Sequence, residues 1–437
     1  MINGRTFSGV PFRVMAVLML SVFTVSMGYG IILPLLPYLI ERLLGDGGDT
    51  AQVSRATGLL TGLYTLSLFL FAPVWGRLSD KYGRRNVLLI GLLGFSATMM
   101  TFSFIESLAA VYAERFLSGM FAAAVTPVAL AVIGDLATTE EFRGRRLTFV
   151  SLSGIGGFLS GPMLGVFVAR GGSSLAPIAS TARSLALPLA GAAVLSLIAS
   201  VATLIAIPGT KAADDSANRA RAVRRKPAAW LVPRLLAISF IVSTGVGVFE
   251  VGLALRGKQE LGLTQYQIAT MFTECSLVML VAQAIVFSPW VKSETTRWFI
   301  SPALAVMAGA LFLVPRASDF SLMLLVIGGV AASAGILSPI LTYWISSKAG
   351  KAQGAQLGRQ TSAASLGAAV GSAVGGLLYD VAWLPNASFL LVTALALLGA
   401  LMSLSFPALL APQNPDAAKH EEKFPQAATP WERESGQ

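Results

Sequence analysis

Residues 76–85 read Gly76-Arg77-Leu78-Ser79-Asp80-Lys81-Tyr82-Gly83-Arg84-Arg85, a short segment with five charges between two long apolar runs, about 55–76 and about 86–105. A membrane core takes about 20 apolar residues per helix, so this segment reads as the connection between two membrane spans. Gly76 and Gly83 permit a tight turn there, and Asp80 can accept hydrogen bonds from a helix N-terminus or pair with an arginine. Working outward in both directions with the same window gives twelve spans: about 14–40, 55–76, 86–105, 109–136, 147–169, 185–207, 233–256, 264–290, 298–315, 320–345, 357–380 and 384–407.

Composition supports that count. The chain is 54% hydrophobic and 12% charged, against roughly 25% charged in a soluble domain. That little charge cannot cover 437 residues in water, which excludes a soluble enzyme and leaves a polytopic helical membrane protein. With the N-terminus inside and residues at span ends counted with the adjoining segments, the inner segments hold 24 of the 32 Lys and Arg residues, the outer segments hold seven, and Arg115 alone is left inside a span. A miscounted span would invert every later loop and erase this bias. The net charge of +10 therefore reports topology rather than nucleic-acid binding. Both termini are expected in the cytoplasm of a multi-pass plasma-membrane protein (the inner membrane of a Gram-negative cell). The first span is too long for a signal-peptide core.

Cys275 is the single cysteine and His420 the single histidine, so no disulfide and no zinc cluster is expected. Gly252 to Lys258 matches the start of a phosphate-binding loop, but Gln259 stands where Ser or Thr is required, and the segment ends a membrane helix rather than following a strand. No cofactor and no metal is expected, no residue reads as catalytic, and an ion gradient is the energy source that remains.

The halves look duplicated. Gly144, Gly157, Gly161 and Gly165 recur 210 positions later as Gly354, Gly367, Gly371 and Gly375. Ser26-Met27-Gly28-Tyr29-Gly30 in span one parallels Ser243-Thr244-Gly245-Val246-Gly247 in span seven. The expected organisation is a six-helix bundle over 1–207, a basic cytoplasmic linker over 208–232, a second bundle over 233–407 and a proline-rich tail over 408–437. Two such bundles around a central cavity are a transporter architecture.

The 76–85 segment resembles the signature loop of the major facilitator superfamily, G-x-L-[SA]-D-[RK]-x-G-R-[RK]. The two-half layout extends the resemblance over about 14–407. It implies that Asp80, with Gly76, Gly83, Arg84 and Arg85, latches the cytoplasmic side of the outward-facing state, with Arg143 and the start of span eleven near Arg359 as partners. Anchoring of topology alone is the alternative. Asp135, Glu140, Glu141 and Arg143 resemble the family's second cytoplasmic charge cluster. Gly157-Phe158-Leu159-Ser160-Gly161-Pro162-Met163-Leu164-Gly165 resembles the motif of drug:proton antiporters, with Val166 replacing its last glycine. Helix packing and a kink at Pro162 would explain the same residues. Arg115 in Arg115-Phe116-Leu117-Ser118-Gly119 is close to a pattern linked to proton transfer. Its neighbour Glu114 points about 100° away on the helix and reads as a poor partner, and snorkelling to the interface is the alternative.

Carboxylates within spans are the most informative residues, because a charge in hydrocarbon is costly and usually functional. Glu274, near the middle of span eight, is the first choice for proton coupling or for binding a substrate charge. Glu250, in the outer half of span seven, comes second. Tyr29 and Gln283 are candidate cavity residues. The resulting expectation is a proton-coupled secondary transporter working by alternating access, an efflux antiporter for small amphipathic or cationic compounds. Its partners are a small-molecule substrate, protons and the lipid bilayer, and a monomer is the family expectation. A proton symporter for a sugar, organic acid or other metabolite is the alternative, and a non-transporting scaffold or sensor a remote one.

Overall fold

The structure, a computed structural model, describes residues 11–45, 49–102, 104–136, 146, 149–164, 181–207, 230–286, 288, 291, 293–348, 353–381, 384 and 386–410. Among these, the regular structure is helical throughout, with no strand. Hydrocarbon offers no partner to a backbone N–H or C=O, and a helix satisfies both within one segment.

Every expected span falls on a described helix. Nine are long and apolar enough to cross a membrane among the described residues: Phe12–Leu44, Thr50–Tyr82, Arg84–Phe102, Leu108–Leu136, Leu187–Ala206, Leu231–Gln259, Gln265–Val286, Thr295–Arg316 and Phe320–Ser347. Two shorter apolar helices, Phe149–Leu164 and Ala387–Ser403, occupy the places of spans five and twelve, and the glycine-rich helix Gln353–Leu377 that of span eleven. Local chemistry sets several boundaries. Asp49 caps span two by accepting from the Ala51 N–H, and Ser107 caps span four by accepting from the Ala110 N–H. Pro34 and Pro37 break span one into an α-helix, a 3-10 turn over Leu33–Leu35 and a second helix from Leu36.

Buried apolar side chains fall into two clusters. One is drawn from Val14 to Ile207, and the other from Leu231 to Leu410 with Leu33 added. Leu197, Ile198, Val201, Leu204 and Ile205 of span six are exposed, which suits a face toward lipid.

The internal repeat appears as matched helix crossings. A Cβ on Gly157 would lie 2.2 Å from the Phe23 carbonyl oxygen, and one on Gly161 2.6 Å from that of Met27. In the other half, a Cβ on Gly367 would lie 2.5 Å from the Phe240 oxygen, and one on Gly371 2.2 Å from that of Thr244. Span one thus meets span five as span seven meets span eleven. Apolar side chains drive helices together weakly within lipid, and small residues let the backbones touch.

Of the two glycines expected to turn the chain in residues 76–85, only Gly83 does so. The helix of span two runs through Gly76 to Tyr82, so Gly76 makes no turn. Gly83 alone carries the break, with φ +94°, and span three starts at Arg84. A single residue in a conformation open to glycine joins two helices, which leaves nothing for a second glycine to do. The linker to residue 229, the tail beyond 410, and Arg143 and Gly165 lie outside the described residues.

Candidate functional site

Polar and aromatic side chains meet where the two bundles face each other. Tyr29 of span one packs against both apolar clusters. Its hydroxyl donates to Glu250 Oε2 of span seven at 2.8 Å. Its ring stacks on Tyr64 of span two, centroids 4.9 Å apart and planes at 17°, and lies 5.8 Å from Phe158 of span five. Phe158 meets Phe272 of span eight edge-on across the bundle boundary, 6.4 Å away. Together they form an aromatic cluster between the bundles with one carboxylate at its edge. Such a surface suits a flat or lipophilic cation, because ring faces and a carboxylate both attract positive charge.

Behind Tyr64 stands Arg115, 2% exposed, its guanidinium 5.6 Å from the Tyr64 ring centroid and 4.9 Å from that of Phe102. Glu114 is 5% exposed and accepts from Arg115 Nε at 2.6 Å and Nη2 at 2.8 Å. This overturns the expectation that Glu114 is a poor partner. Adjacent Cβ atoms do diverge, but both side chains are long enough to turn back on each other, and a buried guanidinium without a carboxylate would be left uncompensated. Arg115 does not snorkel.

Glu274 is half-buried beside Gly328 of span ten, its Oε1 3.6 Å from where a Cβ on that glycine would sit, and its buried Oε2 has no hydrogen-bond partner. Cys275 lies within electrostatic reach of both Glu250 and Glu274. Gln283 is buried, with its carbonyl oxygen unpartnered, about two helical turns beyond Cys275.

The two ends of the molecule differ. At the Ser54 end the bundles are in contact. A Cβ on Gly58 would lie 2.5 Å from the Gly376 Cα, and one on Gly62 2.9 Å from the Ala369 oxygen. Ser54 donates to Asp380 and receives a hydrogen bond from Gln259 Nε2. Lys258 pairs with Glu41 at 2.6 Å and donates to the Pro37 oxygen, and Tyr38 donates to the Leu263 oxygen. At the Asp80 end such contacts are missing among the described residues. Nothing lies within 4 Å of a Cβ on Gly76 or Gly358, and Arg77, Asp80 and Arg359 are exposed. Asp80 pairs with Arg84 at 2.6 Å, and Arg84 also reaches Asp135 at 3.0 Å. Arg85 is half-buried with its Nε unpartnered. The latch expected between Asp80 and the Arg359 region is therefore not made in this conformation. The Asp80 cluster ties spans two, three and four of a single bundle.

Glu250, Tyr29 and Arg115 are brought into one neighbourhood, Glu274 stands beside it, and the Asp80 group lies apart. Gly157, Gly161 and Pro162 line the crossing with span one, where a Cβ on Gly30 would meet Pro162 at 3.3 Å. The polar contacts at the Ser54 end belong to no motif in the sequence. Asp380, Gln259 and Lys258 sit at the ends expected to be outer, where charges are few, and that scarcity was the available signal.

The description Major Facilitator Superfamily matches residues 18–358 and, a second time, 258–435. Multidrug resistance protein 2 of Bacillus subtilis is 26% identical over 376 residues, covering 84% of this chain and 88% of that protein. Quinolone resistance protein NorA of Staphylococcus aureus is 24% identical over 377 residues, covering 84% and 89%. Among solved structures, that of a D-xylose-proton symporter superposes with a TM-score of 0.72 at 13% identity, covering 90% of this chain and 97% of that one. The human organic anion transporter MFSD10 gives 0.68 at 20% identity, covering 90% and 100%. These two likenesses concern the fold.

Proposed function

The chain belongs to the Major Facilitator Superfamily, and we propose that it is a proton-coupled antiporter exporting small amphipathic or cationic compounds across the plasma membrane, both termini cytoplasmic, working as a monomer. The observation that carries this reading is the Glu250 carboxylate at the edge of the aromatic cluster between the bundles, hydrogen-bonded from one bundle to the other by Tyr29. Relatives named for multidrug and quinolone resistance support export over uptake.

One carboxylate serves both ions in turn. Ionised, Glu250 attracts a cation entering from the open side; protonated, it has no charge to hold the cation and lets it go. Exchange follows because proton and cation compete for one group. Glu274 is the second acid of the same bundle and the next candidate for proton or substrate charge. With the Asp80 end cytoplasmic, the structure is an inward-open state. In the opposite state the bundles rock together at that end, and Asp80 then has the Arg359 region as its cross-bundle partner. Replacing Asp80 by Asn is expected to reduce transport at least about tenfold through loss of charge-assisted bonds in that state, with membrane insertion unchanged. Equal transport by the variant would reduce the cluster to a topology anchor.

The proposal is tested in inverted membrane vesicles with an imposed pH gradient. An acidic lumen should drive a lipophilic cation to accumulate, as protons leave in exchange. A symporter would instead expel its substrate from the acidic lumen, and accumulation of a sugar or organic acid only when the gradient is reversed would replace export by uptake.

A further inference from the structure

Tyr29 joins three things that no other described residue joins: both apolar clusters, the ring stack leading through Tyr64 to the Glu114–Arg115 pair, and the Glu250 carboxylate. Its hydroxyl and Glu250 belong to opposite bundles, 221 residues apart. We propose that Tyr29 is a positioning residue of the coupling step: its hydroxyl holds the ionised Glu250 carboxylate across the bundle boundary by occupying Oε2, one of the two oxygens open to an incoming proton or cationic group. This rests on the proton-coupled reading above.

The surroundings leave this role to Tyr29. Among the elements packed on span seven, span one presents Tyr29, span two presents Tyr64 with Arg115 of span four behind it, and span eight presents Cys275 and Glu274. Spans nine, ten and twelve carry no acidic or basic side chain between their ends, and span eleven carries Arg359 toward its Asp80 end and, at its Ser54 end, Tyr379, which donates to Glu260, and Asp380, which accepts from Ser54. Among the described residues, Tyr29 is the side chain that donates to Glu250. A phenol can donate to a carboxylate and also accept from a carboxylic acid, so the bond changes polarity when Glu250 takes up a proton. An ionised carboxylate makes the stronger bond, so the grip between the bundles weakens on protonation. A cation that pairs with the carboxylate, by taking Oε2 from the Tyr29 hydroxyl or by drawing its charge toward the other oxygen, has the same consequence. Proton and substrate thereby act on one cross-bundle contact.

The experiment is infrared difference spectroscopy of the full-length protein in lipid nanodiscs, titrated from about pH 4 to about pH 10. The Glu250 carboxyl band is identified by its loss in Glu250→Gln. Removing a donor to the ionised form disfavours that form, so in Tyr29→Phe, which keeps the ring stack, the midpoint of this band is expected to rise by about one pH unit. In the wild type the tyrosine C–O band should move with the same midpoint as the carboxyl band and stay still in Glu250→Gln, a readout that holds even where Tyr29→Phe fails to fold. An unchanged midpoint in Tyr29→Phe, a tyrosine band indifferent to Glu250, or no titrating Glu250 band would each overturn the proposal. None of these readouts involves flux, so a failure of the transport reading shows separately, in the vesicle assay.

Discussion

Transport by a Gly376→Val variant is expected to fall by about 100-fold or more while the protein still inserts in the membrane. A Cβ at Gly376 would lie 2.4 Å from the Ser54 carbonyl oxygen and 2.6 Å from the Gly58 Cα. Both are backbone atoms, so no side chain can turn aside. Overpacking costs about 1–3 kcal/mol where side chains can yield. At the upper end of that range the population of the closed Ser54 end falls by about 100-fold. The loss is conformational: spans two and eleven can no longer meet, and the cycle stalls with that end open. Distances between spin labels across the Ser54 end should lengthen in the variant, together with the loss of flux. Gly309→Ala, where nothing lies within 4 Å of an added Cβ, is the matching control and should transport normally. Normal flux in Gly376→Val would mean that this contact is not part of the cycle.

The second large effect concerns stability. Arg115→Ala removes one partner of an ion pair that is 2% and 5% exposed and leaves Glu114 without its guanidinium. Breaking a buried pair from one side costs about 3–5 kcal/mol. Replacing both, Glu114→Leu with Arg115→Met, takes away the stranded charge and should restore most of that loss. Thermal unfolding in detergent measures both: a marked fall for the single variant and a near-native midpoint for the double. If the single variant unfolds with the wild type, the pair has no structural weight. Flux in the stable double variant then separates structure from proton transfer, since a structural pair permits transport and a relay does not.

Much of the fold is legible in the sequence because two of its signals are global. Apolar length and the side on which Lys and Arg collect fix where spans lie, and the spans so derived coincide with helices. The 210-residue glycine offset is legible because a backbone crossing tolerates no substitute, and Gly157 and Gly367 indeed meet Phe23 and Phe240 in the same way. Side-chain pairing is less legible. Cβ directions separate Glu114 from Arg115, but reach and burial unite them. The two glycines of residues 76–85 look alike in sequence, and only the positive φ of Gly83 distinguishes them. Helix rotation is the missing quantity for Glu250 and Glu274: depth in the bilayer can be counted along a chain, whereas facing Tyr29 or facing Gly328 depends on how two bundles meet.

The direction of proton movement during export is the most direct test of the account. Liposomes holding the protein, a pH-sensitive dye and a lipophilic cation are diluted into cation-free buffer, with protein-free liposomes setting the leak. As the cation leaves, the account predicts that protons enter, that the lumen acidifies, and that this acidification disappears in Glu250→Gln. A lumen that turns alkaline, or one that acidifies equally in Glu250→Gln, would contradict it.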